Sequence, residues 1–191
     1  MKFSVSMSVY KGDNAEYFKM ALDSIFKQTV IPDEVILVVD GPVNEDINAV
    51  IIDFENIYET FKVIRLQQNM GHGEARRTGL KACSNNLVAI MDADDICLPY
   101  RFEKQLNAFK KNESLTIVGG QITEFVDTPD NVVGIRNVPL SDLEIKEYMK
   151  KRCPMNQMTV MFKKDFVDSV DGYLDWYCDE DYYLWLRIQL I

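Results

Sequence analysis

The chain has 191 residues, 47% apolar and 27% charged, which is the composition of a globular domain able to bury one substantial core. Its formal charge of −9 excludes a nucleic-acid duplex or an anionic membrane as a partner held by bulk electrostatics, so an anionic substrate needs a bridging cation or a local cluster of donors. Cys83, Cys97, Cys153 and Cys178 form no CxxC pair, which argues against a zinc knuckle or a disulfide scaffold and for free thiols in a reducing cytoplasm. No apolar run reaches the roughly 18 residues of a transmembrane segment, and the N-terminus is too quickly polar for a signal peptide.

In chain order, "FSVSMSV" reads as a strand over Phe3–Val9. Phe18, Ala21, Leu22 and Ile25 then recur at helical spacing, with Asp13 and Glu16 placed to cap that helix. "EVILVVD" is an apolar strand ending at Asp40. A helix is expected over residues 46–56, a strand at "KVIRL", a helix over 74–82 and a strand at "NLVAIM". Near-continuous apolar strands alternating with helices predict a mainly parallel sheet flanked by helices, an α/β fold. In such sheets ligands sit beyond the carboxyl ends of the strands, where Asp40 and Asp92 fall.

The second half is expected to start a helix at Pro99, with Phe102, Leu106 and Phe109 on one face. Short strands follow at "LTIVGG", "QITEFV" and "VVGIRN". Ser141 and Glu144 form a capping box for a helix over 142–151, "MTVMF" is a strand, and a last helix opens near Asp179. That helix has no stop signal before Ile191, so either more sequence beyond it or an unusually short domain is expected. No repeat or linker interrupts the chain, which is expected to be one domain over 1–191 with halves 1–98 and 99–191.

Three carboxylates crowd "MDADDICLP": Asp92, Asp94 and Asp95. They read as a solvated strand-end loop that caps the next helix, as ligands for Mg2+ or Mn2+ shared with a substrate phosphate, or as a phosphoryl-transfer nucleophile. The last usually follows the first strand of its sheet, not the fourth. A divalent ion held by Asp94 would let an acidic protein bind a diphosphate.

Five stretches together resemble the family 2 glycosyltransferases, inverting enzymes of GT-A fold that use nucleotide-diphosphate sugars. They are "SVSMSVYKGDNAEYFKMALDSIFKQT", "EVILVVDGP", "NMGHGEARRTGL", "MDADDICLPYRFEKQ" and "DEDYYLWLR". The resemblance covers residues 3–187 in the family's order and implies a nucleotide-binding half (1–98) and an acceptor-side half (99–191). It implies that Val9 or Tyr10 and Asp40 line the nucleoside pocket, with Asp40 accepting from the base. It places Asp92 beside the ribose or donor sugar, Asp94 on the metal, and Asp181 as general base with Glu180 next to it. Arg76 is either a contact to phosphate or donor, or a charge on a helix surface. An inverting transfer needs such a base, because the acceptor hydroxyl attacks opposite the leaving diphosphate and must lose its proton.

The pattern departs from the family at "DGPVN", where Pro42 alters the turn, at Arg77, and at Tyr183, where an Asp is frequent. Asn156 and Gln157 stand where the family has a His or Asn before a strand. The single histidine, His72, excludes His-based triads and zinc sites and reads as structural or solvated. Of the aromatics near the base, the helix-periodic ones read as core. Trp176 and Tyr177, in the loop, are candidates to stack on an acceptor sugar.

The resemblance thus implies a metal-dependent glycosyltransferase that moves a sugar from a nucleotide diphosphate, a UDP-sugar first, to a glycan or lipid-linked acceptor. The setting is bacterial surface-polysaccharide synthesis, in the cytoplasm or peripherally at the inner face of the cell membrane. A non-catalytic sugar-nucleotide-binding module would keep Asp40 and Asp94 without needing Asp181. A nucleotidyltransferase would share the sheet and metal but attack phosphorus, and no Gly- and basic-rich phosphate loop follows the first strand.

Overall fold

The computed structural model describes residues 1–176 and 179–189. Its first half alternates β1 (Phe3–Val9), α1 (Ala15–Phe26), β2 (Glu34–Val39), α2 (Glu45–Ile57), β3 (Phe61–Arg65), α3 (His72–Ala82) and β4 (Leu87–Met91). The second half adds α4 (Arg101–Lys111), β5 (Ile117–Val118), β6 (Ile122–Phe125), β7 (Val132–Arg136), α5 (Asp142–Met149), β8 (Met161–Lys163), α6 (Lys164–Asp168) and α7 (Glu180–Gln189).

The main sheet runs β3-β2-β1-β4-β8-β5. β1 to β4 are parallel, and β8 and β5 extend the sheet antiparallel beside β4. β6 and β7 form a separate antiparallel hairpin. Side-chain alternation splits the core in two. Phe3, Val5, Met7 and Val9 of β1 and Leu37 of β2 face one layer with Phe18, Ile51 and Phe102 from α1, α2 and α4. Ile36, Val38, Val88 and Ile90 face the other with Leu80, Val167 and Trp185 from α3, α6 and α7. The chain moves outward from β1 to β3 and then crosses to β4 on the other side of β1. The β1/β4 boundary is thus the switch point where a doubly wound sheet opens a crevice.

Several expectations are corrected. Asn14, not Asp13, caps α1: its Oδ1 accepts from the N–H groups of Glu16 (2.9 Å) and Tyr17 (3.1 Å). Asp13 instead turns back to accept the Tyr10 N–H at 2.9 Å. α4 begins at Arg101 because Leu98–Arg101 first closes a turn, with the Arg101 N–H on the Leu98 carbonyl at 3.0 Å. Tyr100 takes the cap position without a side-chain bond, so Asp95 caps nothing. "MTVMF" divides into a 3-10 turn (Gln157–Thr159) and β8. α6 has only five residues, too few for a helical period to register. The Ser141–Glu144 capping box is present.

Glu34, 3% exposed at the start of β2, ties the layers together. It accepts from Ser4 Oγ (2.7 Å), Ser84 N (2.9 Å) and Lys62 Nζ (2.7 Å), linking β1, β3 and the turn after α3. Burial alone raises its pKa, but these donors outweigh burial and hold it at about 2, against an ordinary 4.5. A depressed carboxylate stabilises the fold fully above pH 4.5 and loses that contribution as pH falls toward 2. The shift corresponds to about 3 kcal/mol. Urea unfolding of Glu34→Gln should therefore show a loss of that order at pH 7, and the gap from wild type should close between pH 4.5 and 2.

Candidate active site

Two cavities meet at the carboxyl ends of β1, β2 and β4. The first, about 480 Å³, is lined by Val9, Tyr10, Asp13, Asp40, Asp92 and Asp94 among others. The second, about 920 Å³, takes Arg76, Trp176, Glu180 and Asp181, and shares Gly71, His72 and Asp92 with the first. The expected donor and base residues are thus gathered around one continuous cleft. Tyr177 lies outside the described residues.

Asp40, buried at the end of β2, accepts the Met70 N–H at 2.6 Å on one oxygen and the Gly71 N–H at 3.1 Å on the other. Its carboxylate therefore shapes the loop that opens α3 as well as walling the smaller cavity. Gly41 permits this approach. Its φ of +82° disfavours any side chain, and a Cβ there would come within 2.5 Å of the Asn69 backbone nitrogen. On the other face of the sheet, a Cβ on Gly79 would meet Ser6 Oγ at 2.5 Å, so that glycine sets how closely α3 lies on β1.

Arg76 is not a surface charge. It is 6% exposed, and its Nη2 donates to Asp92 Oδ1 at 2.8 Å. Its Nε lies 3.4 Å from Glu180 Oε1, and His72 Nδ1 reaches the same oxygen at 3.0 Å. Burial works against the guanidinium charge, but Asp92, Tyr173 and Glu180 together raise its pKa. Burial likewise raises the Glu180 pKa, yet the His72 hydrogen bond and the Arg76 charge bring the net value below the usual range. Glu180 is thus a carboxylate held toward its charged form, with Oε1 shared between His72 and Arg76. The lone histidine joins this network from its Gly-flanked loop.

Asp181 is shifted the other way. Burial is the largest influence on it and raises its pKa, aided by the Glu180 charge and opposed by the Tyr182 N–H at 2.6 Å. Cys153 Sγ lies 3.8 Å from its Oδ2, and the same carboxylate, after burial, helps push that thiol up to about 12. A raised carboxylate facing a cavity is a suitable proton acceptor. Trp176, 55% exposed, stacks on Tyr183 at 4.6 Å, whereas Trp185 is core, as its helical spacing predicts.

The acidic loop after β4 is exposed at Asp94. Burial and the charges of Asp92 and Asp94 push Asp95 up to about 6. Asp13 is also raised, first by burial, then by Asp94 and Asp92. Sequence reasoning placed Asp13 at a helix cap; its wall position depends on a turn that only the folded loop reveals. Among the described residues, no three His, Cys, Asp or Glu side chains are arranged to hold a metal alone. An exposed carboxylate in mutually repelling acidic surroundings suits a hard cation that completes its shell with water and phosphate oxygens. Asp94 is the residue that would hold it.

Residues 4–169 match the model described as "Glycosyl transferase family 2". The chain belongs to this family. It is 43% identical over 188 residues to an uncharacterized glycosyltransferase of Haemophilus influenzae, covering 98% of this chain and 69% of the relative. It is 41% identical over 186 residues to the Escherichia coli UDP-Gal:alpha-D-GlcNAc-diphosphoundecaprenol beta-1,3-galactosyltransferase, covering 97% of this chain and 67% of that one. The fold matches S. aureus TarS 1–349 with a TM-score of 0.75 at 21% identity, over all of this chain and 56% of TarS 1–349. The family 2 chain thus spans just over half of that solved structure. The TarS structures include complexes with UDP and with UDP-GlcNAc. No described helix is long and apolar enough to cross a membrane.

The Arg76 bridge predicts a large mutational effect. Arg76→Met should cost about 3–5 kcal/mol in urea unfolding, because it strands two carboxylates, and Arg76→Lys, which keeps the charge but not the fork, should fall between.

Proposed function

We propose that the chain transfers a sugar from a nucleotide diphosphate, a UDP-sugar first, to a hydroxyl on a glycan or lipid-linked acceptor, with inversion and with Mg2+ or Mn2+. The carrying observation is the pair of abutting cavities, one walled by Asp40 and Asp94 and the other by Asp181, with Asp92 on both. The E. coli relative supports a UDP donor and a polysaccharide role, since its name prints UDP-Gal and a lipid-diphosphate acceptor. A location at the cytoplasmic face of the inner membrane belongs to the same proposal.

In this reading Val9, Tyr10 and Asp40 hold the nucleoside, and Asp92 lies beside the donor sugar. Asp94 would hold the metal, which when bound would offset charge building on the leaving diphosphate. Asp181 accepts the proton of the attacking hydroxyl from the face opposite the leaving group. Glu180 and Arg76 act as positioning residues: Glu180 meets His72 and Arg76 through one oxygen, and Arg76 fixes Asp92. Trp176 offers a half-exposed ring to an acceptor sugar. The raised Asp181 pKa favours an enzyme over a binding module, which needs no carboxylate tuned toward proton transfer.

Calorimetry and turnover separate the roles. Asp94→Ala should abolish Mn2+-dependent UDP binding; unchanged binding would remove Asp94 from the metal. Asp181→Asn should keep UDP binding and lose transfer by roughly 10²–10⁴-fold, the usual contribution of a general base. Because burial raises the Asp181 pKa, wild-type transfer should fall on the acid side at a pH above the ordinary aspartate range, as the base becomes protonated. An acid limb at or below pH 4 would count against Asp181.

A further inference from the structure

In a chain of charge −9, the larger cavity nevertheless collects three cations besides the buried Arg76: Arg136 from the end of β7 and Lys151 and Arg152 from the turn after α5. Lys150 is paired with Glu147 and Lys146 with Asp142, as surface charges on a helix ordinarily are. Among the described residues, neither Lys151 nor Arg152 has a carboxylate within 4 Å; the Arg152 guanidinium instead lies over the Tyr148 ring at 5.8 Å. Complementing the α5 helix dipole would explain cations in the last turn. It does not explain Arg136, which reaches the same cavity from a different element. Arg136 does pair with Glu124, but that pair is exposed on both sides and weakly held.

Apart from Asp92, which Arg76 engages, the cavity's carboxylates come from α7 and the loop before it: Asp175, Asp179, Glu180 and Asp181. An anionic group is therefore repelled from the proposed base and drawn to the β7/α5 wall. Val132, on the Arg136 face of β7, is 53% exposed, and Leu140, just past the cavity-lining Val138, is 83% exposed. Apolar surface thus borders the cations along the chain.

We infer that Arg136, Lys151 and Arg152 form a subsite for a phosphate group of the acceptor, and that the acceptor carries this phosphate between its sugar and an apolar chain. The inference rests on the glycosyltransferase reading, because it assigns the larger cavity to the acceptor. It orients that substrate: the sugar hydroxyl meets Asp181, the phosphate meets the cations, and the hydrocarbon leaves past Val132 and Leu140.

The test is equilibrium binding of undecyl diphosphate in EDTA, which disfavours metal-assisted occupation of the donor cavity. Arg136→Gln, Lys151→Gln and Arg152→Gln should each weaken binding by roughly fivefold, and the triple variant by roughly 100-fold. Undecyl maltoside, with the chain but no phosphate, should bind wild type and triple variant alike, and the triple variant should keep its thermal midpoint and its Mn2+-dependent UDP binding. Equal undecyl diphosphate binding by wild type and triple variant would overturn the subsite. Inorganic diphosphate binding as tightly as undecyl diphosphate would overturn the apolar-chain assignment. If wild type fails to bind UDP, the underlying reading falls and this inference with it. Retained UDP binding with unaltered undecyl diphosphate binding strikes the inference alone.

Discussion

One buried guanidinium holds the two sides of the cleft in register. Arg76 projects from α3 between Asp92, at the end of β4, and Glu180, at the start of α7. Asp94 is two residues from the first partner and Asp181 one residue from the second. The residues assigned to metal and base, nearly ninety positions apart in sequence, are therefore positioned through a single planar cation. Burying Arg76 and Glu180 is costly, and a network of this kind is poor evidence of stability for its own sake. What it supplies is geometry, because a fork that must meet two carboxylates leaves α3 and α7 little freedom to slide.

The same logic explains why adjacent carboxylates on α7 shift in opposite directions. Glu180 faces Arg76 and His72 and is pulled down; Asp181, one residue on, faces Cys153 and the Tyr182 N–H and is pushed up by burial. A pair of acids whose environments drive their pKa values apart is a recurring way to separate a structural charge from a proton acceptor. Which acid plays which part is decided by partners from other elements, and not by the helix that carries both.

That dependence marks what the sequence could show. The apolar runs of β1, β2 and β4 are buried on both faces, so their period and the carboxyl-end positions of Asp40 and Asp92 were readable without coordinates. Arg76 was readable only as a charged residue on a helix; its burial follows from the close approach of α3 to β1 at Gly79 and from α7 packing over it. Asp13 looked like a cap because a cap is a local pattern, whereas its wall position comes from the loop folding back onto Tyr10. Asp95 looked like a cap for the same reason, and the Leu98–Arg101 turn removed it from that role. Local signals were legible where local physics decides; side chains whose partners lie on other strands and helices were not.

The charge distribution gives the cleft a direction. The smaller cavity is walled by Asp13, Asp40, Asp92 and Asp94, and an anionic diphosphate would be repelled there without a cation. The larger cavity has carboxylates on its α7 side and cations on its β7/α5 side. In the proposed reading, an acidic chain would handle two anionic substrates by different means, with Asp94 holding a metal on one side and fixed basic side chains on the other. Fixed cations beside the donor would attract a nucleotide diphosphate whether or not the metal were present, and would hold the released nucleotide after transfer. In the proposed reading, an acceptor phosphate on fixed cations would stay oriented as the hydroxyl loses its proton, and placing the two binding modes across Asp92 would keep like-charged substrates on opposite sides of the cleft.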